Sequence, residues 1–376
     1  MKKICNLATI HPGDDSRIFR KECFSETRSY QVHYVTCNGE GYKLKNNVHI
    51  HGIKRYKSKF QRAIFAPFRI YKKAKLIDAD IYVLHEPELL SIALLLKKIH
   101  KKCVIYDCHE FYVEEVLHKK WIPFPVRFCL FLYLKCVYCF VVPYLDGVVS
   151  VSKQKPIINK RNFVLQNYAA IKEFKNILIR DFEHANCVLY TGTLSPDCFQ
   201  LIRVAKTLLR NPVEFVFCCR ITSSEGFYAS KNKLFTSANF KQNCSIEEIK
   251  SLSKKCFTGL FCQSKLIRNK ICHFYSFTKN YEYMAENLPI IAILRCKNVF
   301  FEKFMNNDNH PLGLVVDSDP QAIANAIDYL YENKEVARTM GMNGRKAFET
   351  KYNFESEADG FLKFLEEVSQ SKNPNK

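Results

Sequence analysis

No Gly-x-Gly-x-x-Gly follows the first apolar run of this 376-residue chain. No second Cys-x-x-Cys stands at zinc-ribbon distance from Cys136 and Cys139, and acidic residues are short, 37 against 57 Lys and Arg. The first absence argues against a dinucleotide dehydrogenase, and the second against a structural zinc site. The shortage of acids leaves a formal charge of +20, which favours anionic partners: nucleic acid, an acidic membrane surface or phosphorylated ligands. A lysine-rich composition can also carry such a charge with no function attached. No zinc finger, RNP-type strand or basic zipper accompanies it, so no nucleic-acid partner is expected. The 17 cysteines form no framework. Cys103, Cys129, Cys187, Cys218 and Cys219 lie in apolar runs and read as reduced thiols of a cytosolic protein. The opening MKKICNLATIHPGDD has too short an apolar run for a signal peptide, which implies a cytoplasmic location.

The length suggests two domains, and 47% apolar residues suffice for two cores. Strand-like runs at Lys3–Thr9, Gln31–Cys37, Ile81–Leu84, Cys103–Tyr106 and Gly147–Val151 alternate with helical stretches at Ser16–Thr27 and Glu88–Ile99. Such alternation predicts a parallel, doubly wound α/β sheet. A polar stretch from Asn167 to Asn186 reads as a linker. A second series starts at Cys187-Val-Leu-Tyr190, with a capping box at Ser245 and Glu248. The expected domains are residues 1–168 and 187–350, two Rossmann-like units facing a central cleft. Ligands in such sheets sit at the carboxyl ends of strands.

The run PVRFCLFLYLKCVYCFVVPY, Pro125 to Tyr144, is nearly long enough to span a bilayer. Arg127 and Lys135 interrupt it, and a strand-like DGVVSVS follows. Two readings stand: an interfacial helix that docks the protein on the inner leaflet, helped by the basic clusters of the first half, or a core helix.

The stretch SFTKNYEYMAENLPII, Ser276 to Ile291, concentrates the chemistry. Lys279 and Glu282 are one helical turn apart and share a face. The helix stops at Asn287-Leu288-Pro289, and an apolar strand follows at once. A helix N-terminus with an ammonium suits a phosphate, and a carboxylate suits a pair of sugar hydroxyls. A nucleoside diphosphate offers both. The same residues also fit an amphipathic helix with Tyr281, Met284 and Ala285 in the core. Elsewhere, Gly13, Asp15 and Arg17 lie in the turn HPGDDSRIF after the first strand, where Asp15 and Arg17 could hold acceptor hydroxyls or a phosphate. The competing reading is a capped turn with Arg17 on the surface. His85-Glu86-Pro87-Glu88 and Asp107-Cys108-His109-Glu110 close two further strands. Asp78-Ala-Asp80 spells a metal-binding D-x-D, but it precedes a strand and reads as a helix-to-strand turn.

The Ser276–Ile291 pattern resembles the nucleotide-sugar site of glycosyltransferase family 4, which has the GT-B fold. There it commonly runs S-x-T/P-K-x-x-E-Y-M-A-x-G-L-P-V-I, with Gly at the place of Asn287. The resemblance extends to H-P-x-D-D-x-R-I-F at His11–Phe19, H-x-P-E-L at His85, Y-D-x-H-E at Tyr106–Glu110, Y-x-G after the second strand start, and M-G-x-N-G-R near the end. It implies a last segment, 351–376, that crosses back to the first domain. It implies His109 near the reacting carbon, with Lys279 and Glu282 as its catalytic companions. Gly192, Thr193, Arg220, Arg268, Lys279 and Glu282 would bind the donor, and Gly13, Asp15, Arg17 and His85 the acceptor. The chain departs from the pattern at Thr193 and Cys198, where the family often has Arg and Lys. It departs again at Phe274, where many members have Glu. The resemblance implies an enzyme that moves a sugar from a nucleotide-diphosphate donor to an acceptor hydroxyl, with retention of configuration. The acceptor expected is a lipid-linked glycan of surface-polysaccharide synthesis. Neither metal nor other cofactor is expected. A noncatalytic GT-B-like subunit is the alternative.

Overall fold

The computed structural model describes residues 1–37, 39–109, 112–118, 122–151, 159–175, 180–219, 234–235, 239–242, 244–263 and 278–371. The chain forms two units, Met1–Asn167 with Glu357–Lys376, and Tyr168–Ser356.

In the first unit the strands are β1 (Lys3–Ala8), β2 (Gln31–Thr36), β3 (Gly41–Lys45), β4 (Val48–Gly52), β5 (Ile81–Leu84), β6 (Cys103–Cys108), β7 (Gly147–Ser150) and β8 (Asn162–Val164). Their order is β3-β4-β2-β1-β5-β6-β7-β8. All neighbours are parallel except the β3–β4 hairpin. Asn46 and Asn47 turn that hairpin with φ of 52° and 61°, the left-handed pair that a two-residue hairpin demands. Every residue of β5 and β6 is buried, as expected of strands covered on both faces. The strand order reverses between β1 and β5, which makes their carboxyl ends a switch point. The Glu355–Gln370 helix supplies Phe361 and Phe364, which pack on Phe163 of the β8 edge.

In the second unit the strands are β9 (Cys187–Thr191), β10 (Glu214–Cys218), β11 (Phe240–Lys241), β12 (Cys256–Cys262), β13 (Ile290–Leu294) and β14 (Gly313–Asp317). They form a fully parallel sheet in the order β11-β10-β9-β12-β13-β14. Its switch point lies between β9 and β12. Within the stretch expected as linker, Tyr168 and Phe174 pack on Tyr281, Tyr352 and Phe348 of this unit. The capping box of Ser245 and Glu248 is formed. Asp78 terminates the Lys59–Ile77 helix in a left-handed conformation, and the Asp80 carboxylate accepts the Lys3 N–H at 2.8 Å. Both acids of the D-x-D thus hold backbone or a cap.

The apolar run forms the Phe124–Phe140 helix, none of whose residues is buried. It is therefore not a core helix. At its carboxyl end Val137 and Tyr138 pack against the core and the Tyr138 hydroxyl lies 2.8 Å from that of Tyr106; nearer its start Arg127 donates to the Leu117 carbonyl at 3.0 Å. Phe124, Val126, Phe128, Leu132, Tyr133 and Phe140 are exposed. With its extension to Tyr144, the segment is long and apolar enough to cross a membrane.

Candidate functional site

The carboxyl ends of β1, β5 and β6 converge on a knot of charged side chains. Arg17 is buried, not on the surface. Its guanidinium lies 3.1 Å from Asp107 and 2.8 Å from Glu22, and it donates to the Leu165 carbonyl at 3.2 Å. Burying three charges is tolerable only because they compensate one another. Burial would raise Asp107, but Arg17 first, and then His109 and the hydrogen bonds, hold it well below the usual carboxylate range. For Glu22 the balance falls the other way: burial first, and then the charge of Asp107, outweigh the pull of Arg17 and push it well above its ordinary value.

The two strand-end histidines both meet Asp107. His109 Nε2 lies 2.7 Å from Asp107 Oδ2, and His85 Nδ1 lies 3.2 Å from the same oxygen. The Asn6 amide donates to Glu26 at 2.6 Å, so its carbonyl oxygen accepts from His85 Nε2 at 2.9 Å. That leaves the lone pair of His85 on Nδ1. His109 donates from Nε2, so its own Nδ1 is the nitrogen available to an outside group; the tautomers follow from the network. Burial pushes His109 down to about 4 against the pull of Asp107, and burial lowers His85 too. Both imidazoles are neutral at pH 7. Their ring nitrogens and Asp107 lie close enough together to chelate a metal. The adjoining guanidinium already supplies the positive charge, however, and the His109 Nε2–H lies within reach of both Asp107 Oδ2, at 2.7 Å, and the His85 Nδ1 lone pair, at 3.1 Å.

In the β1 turn, Asp15 accepts the N–H of Arg17 at 2.9 Å and of Ile18 at 2.8 Å and pairs with His11 at 2.9 Å. These bonds close the turn before the Ile18–Cys23 helical segment, whose N-cap position is Arg17. Gly13 packs closely: a Cβ there would stand 3.2 Å from the Ile50 side chain, which would have to give way by a few tenths of an ångström. Of the residues expected in this half, Asp15, Arg17, His85 and His109 come together. Sequence reasoning gave no role to His11, Glu22, Glu86 or Asp107, which complete the network. Asp107 and Glu86 stood inside the quoted motifs, each beside a histidine.

In the second unit, Gly192 follows β9 with φ +85°. A Cβ there would lie 3.6 Å from Lys279 Nζ. Lys279 opens the Thr278–Ala285 helix and rests 4.2 Å from the centre of the Tyr190 ring, a cation–π contact. Among the described residues it has no carboxylate ion pair. Burial pulls its pKa down to about 8. Tyr283 on the same helix fixes the register: its hydroxyl accepts the Thr191 N–H at 2.9 Å and donates to the Leu260 carbonyl at 3.2 Å. Its ring fills the space that any side chain at Gly259 would need. Asn287 ends the helix at φ 55°; Asn tolerates this left-handed position, which explains how it stands where glycine is usual. Glu282 borders a recess with Leu189, Thr191, Ile246, Ile249 and Tyr283. Thr193 is exposed beside Gly192, and Cys198 is buried.

Arg220, Arg268 and Phe274 lie outside the described residues. A cation that the sequence did not suggest stands at the end of β13. Arg295 donates to the Gln263 carbonyl at 2.7 Å and pairs with Asp197 at 3.1 Å, next to the Cys198 that replaces the family lysine. Its position after an apolar strand was the available signal.

No protein-family model and no curated protein matches the sequence. Solved structures do. A sucrose-phosphate synthase from Thermosynechococcus elongatus is similar with a TM-score of 0.70 at 11% identity, covering 98% of this chain and 100% of that one. HepE (Alr3699) of Anabaena, in complex with UDP and glucose, gives 0.67 at 12% identity over 98% and 100%. A glycosyltransferase of Rickettsia africae gives 0.64 at 13% identity over 100% of both. The chain has the GT-B fold, with two Rossmann-like domains.

Proposed function

We propose that the protein is a glycosyltransferase of the family 4 type, which moves a sugar from a nucleotide-diphosphate donor to an acceptor hydroxyl. The observation that carries this is Lys279. A half-buried ammonium beside a positive-φ glycine and over a tyrosine ring, with no ion pair to a carboxylate among the described residues, is a cation suited to an anion. Breaking the glycosidic bond places charge on the leaving diphosphate, and a preorganised cation lowers that barrier. Glu282 holds ribose hydroxyls, and Arg295 joins Gly192 and Thr193 in the donor half. Arg220 and Arg268 remain donor-half candidates. In the first unit His109 turns Nδ1 toward the sugar, while Gly13, Asp15, Arg17 and His85 shape the acceptor half. We take the reaction to be retaining and metal-independent. HepE, whose structure holds UDP and glucose, supports a nucleotide-sugar donor by analogy of fold.

The acceptor is a lipid-linked glycan of surface-polysaccharide assembly. The protein is cytoplasmic, held on the inner leaflet by the exposed Phe124–Phe140 helix, whose aromatic and basic residues suit the headgroup region. The altered positions Thr193 and Cys198 favour a second reading, a noncatalytic scaffold of the same assembly.

A thermal-shift panel of UDP, GDP, ADP and CDP with Lys279→Ala and Glu282→Ala tests the first reading. A diphosphate at a hundred times its Kd stabilises by about 2.7 kcal/mol. One nucleotide should do so, and both variants should lose the shift. Affinity should fall as pH rises through about 8, where Lys279 loses its proton. A wild-type protein indifferent to all four moves the conclusion to the scaffold.

A further inference from the structure

Resting on the inner-leaflet part of the reading above, and not on glycosyl transfer, the geometry points to a second lipid contact in the first unit. The Lys59–Ile77 helix lies on an anionic lipid surface, and the groove beside it receives a lipid phosphate. From Gly41 to Ile77 the chain holds eleven Lys and Arg and no Asp or Glu. The helix buries Ala66, Ile70, Ala74 and Ile77. Spacings of three and four put Phe65, Phe68, Lys72 and Leu76 on one stripe away from that side. Phe68 and Leu76 are 60% and 80% exposed, and Phe60 and Ile64 are exposed on the same helix. Water offers aromatic side chains no favourable contact. The headgroup region covers them and lets neighbouring lysines reach phosphates.

Between this helix and the end of β4 lies an open groove of about 490 Å³, whose lining includes Lys54, Arg69, Lys72 and Lys73. Glu40 also lines it and pairs with Arg69 at 3.7 Å. Among the described residues, Lys54, Lys72 and Lys73 have no ion pair, so three ammonium groups share the groove without a counter-charge. Their mutual repulsion is relieved by an anion placed among them.

The occupant is fixed by the two features together. A soluble phosphate would fill the groove and leave the apolar stripe in water. A second copy of the chain would bring the eleven-cation run against its own like. An anionic lipid surface satisfies both. It also meets the Phe124–Phe140 helix on the same side. Ala66, Ile70 and Ala74 of one helix and Val137 and Tyr138 of the other join a single core with Leu7 of β1, Tyr82 of β5 and Tyr106 of β6. Both helices therefore pack on the same face of the first sheet.

Co-sedimentation of the whole protein with phosphatidylcholine vesicles, with and without phosphatidylglycerol, tests this. Wild type should bind the anionic vesicles, and less so as salt is added. The triple variant Lys54→Gln, Lys72→Gln, Lys73→Gln should lose about fivefold per lysine, roughly 10²-fold in all, with its melting temperature kept. The same charge removed at the exposed Lys254, Lys255 and Lys297 of the second unit should change binding by less than about threefold. Phe65→Ser with Phe68→Ser should weaken binding at every salt concentration. A wild type that stays in solution with both vesicles overturns the inner-leaflet reading and this inference together. If wild type binds but the groove variant binds equally well, or the second-unit control loses as much, this inference alone is overturned. A thermal shift with inorganic phosphate that the groove variant loses, with vesicle binding intact, assigns the groove to a soluble anion and overturns it too.

Discussion

The carboxyl ends of the two sheets handle charge in opposite ways. At the end of β1, β5 and β6, Arg17, Glu22, Asp107, His85 and His109 are buried and largely consume one another's bonding capacity. At the end of β9 the ammonium of Lys279 faces an aromatic ring and a glycine. The first arrangement is a rigid frame that presents one or two imidazole nitrogens. The second is a charge that burial destabilises, which pulls the Lys279 pKa down to about 8. A frame of mutually satisfied charges holds shape, whereas a desolvated lone cation stores binding energy for an anion. The first unit has the first arrangement, and the second has the cation that the proposed diphosphate would meet.

If that contrast is right, the largest loss of stability comes from cutting the frame. Arg17→Met leaves Asp107 and Glu22 buried without their cation and should cost about 3–5 kcal/mol. Urea unfolding measures it, and a loss below about 1 kcal/mol would mean that the acids simply take up protons. The linked pH effect has a definite sign. Asp107 is held below its ordinary value, so its contribution is present at neutral pH and fades as pH falls through its folded value. Glu22 is held high and works the other way, losing stability for the fold as it ionises with rising pH. Lys279→Met, by contrast, should remove diphosphate binding while leaving the unliganded protein at least as stable at pH 7.

The next effect sharpens the second half of the comparison. Tyr283 ties the Thr278–Ala285 helix to β9 and β12 through one buried hydroxyl. Tyr283→Phe leaves the Thr191 N–H without its acceptor, a cost of about 1–3 kcal/mol. Because the hydroxyl sets where the helix begins, Lys279 should also lose its register against Gly192. A weaker diphosphate thermal shift, beyond what the lower melting point explains, is the expected result. An unchanged shift would show that Lys279 is placed by its own turn of helix alone.

The doubly wound class was legible in the sequence because apolar strand runs alternate with helical ones at every repeat. The β3–β4 hairpin was not: GYKLK is entirely exposed, so no burial pattern marks it, and its only sign was Asn46-Asn47. In the first unit the quoted motifs brought attention to the right strand ends, but a charged residue reads as surface until its partner is known. Arg17 looked solvent-exposed because Glu22 and Asp107, 5 and 90 positions away, could not be paired with it by spacing. Arg295 escaped because its place after an apolar strand, the one signal available, does not show its partners Asp197 and Gln263. For the Phe124–Phe140 helix the sequence left two readings open, interfacial or core, and the exposure of its residues removes the core one.

That helix supplies the smallest stability effect and the clearest separation of the two kinds of side chain. Phe128 and Leu132 are 46% and 45% exposed, so nearly half of each side chain still faces water in the fold and neither lies in a core. Changing both to Ser should alter unfolding free energy by no more than about 0.5 kcal/mol each. On a bilayer the same side chains would enter the headgroup boundary, and each should contribute about 1–2 kcal/mol of partitioning. Vesicle co-sedimentation with anionic lipid should therefore fall by roughly tenfold per residue, with melting temperature nearly unchanged. A large drop in stability with vesicle binding intact would instead assign the face to the fold, and the contrast between a satisfied frame and surfaces left open for partners would hold only for Lys279.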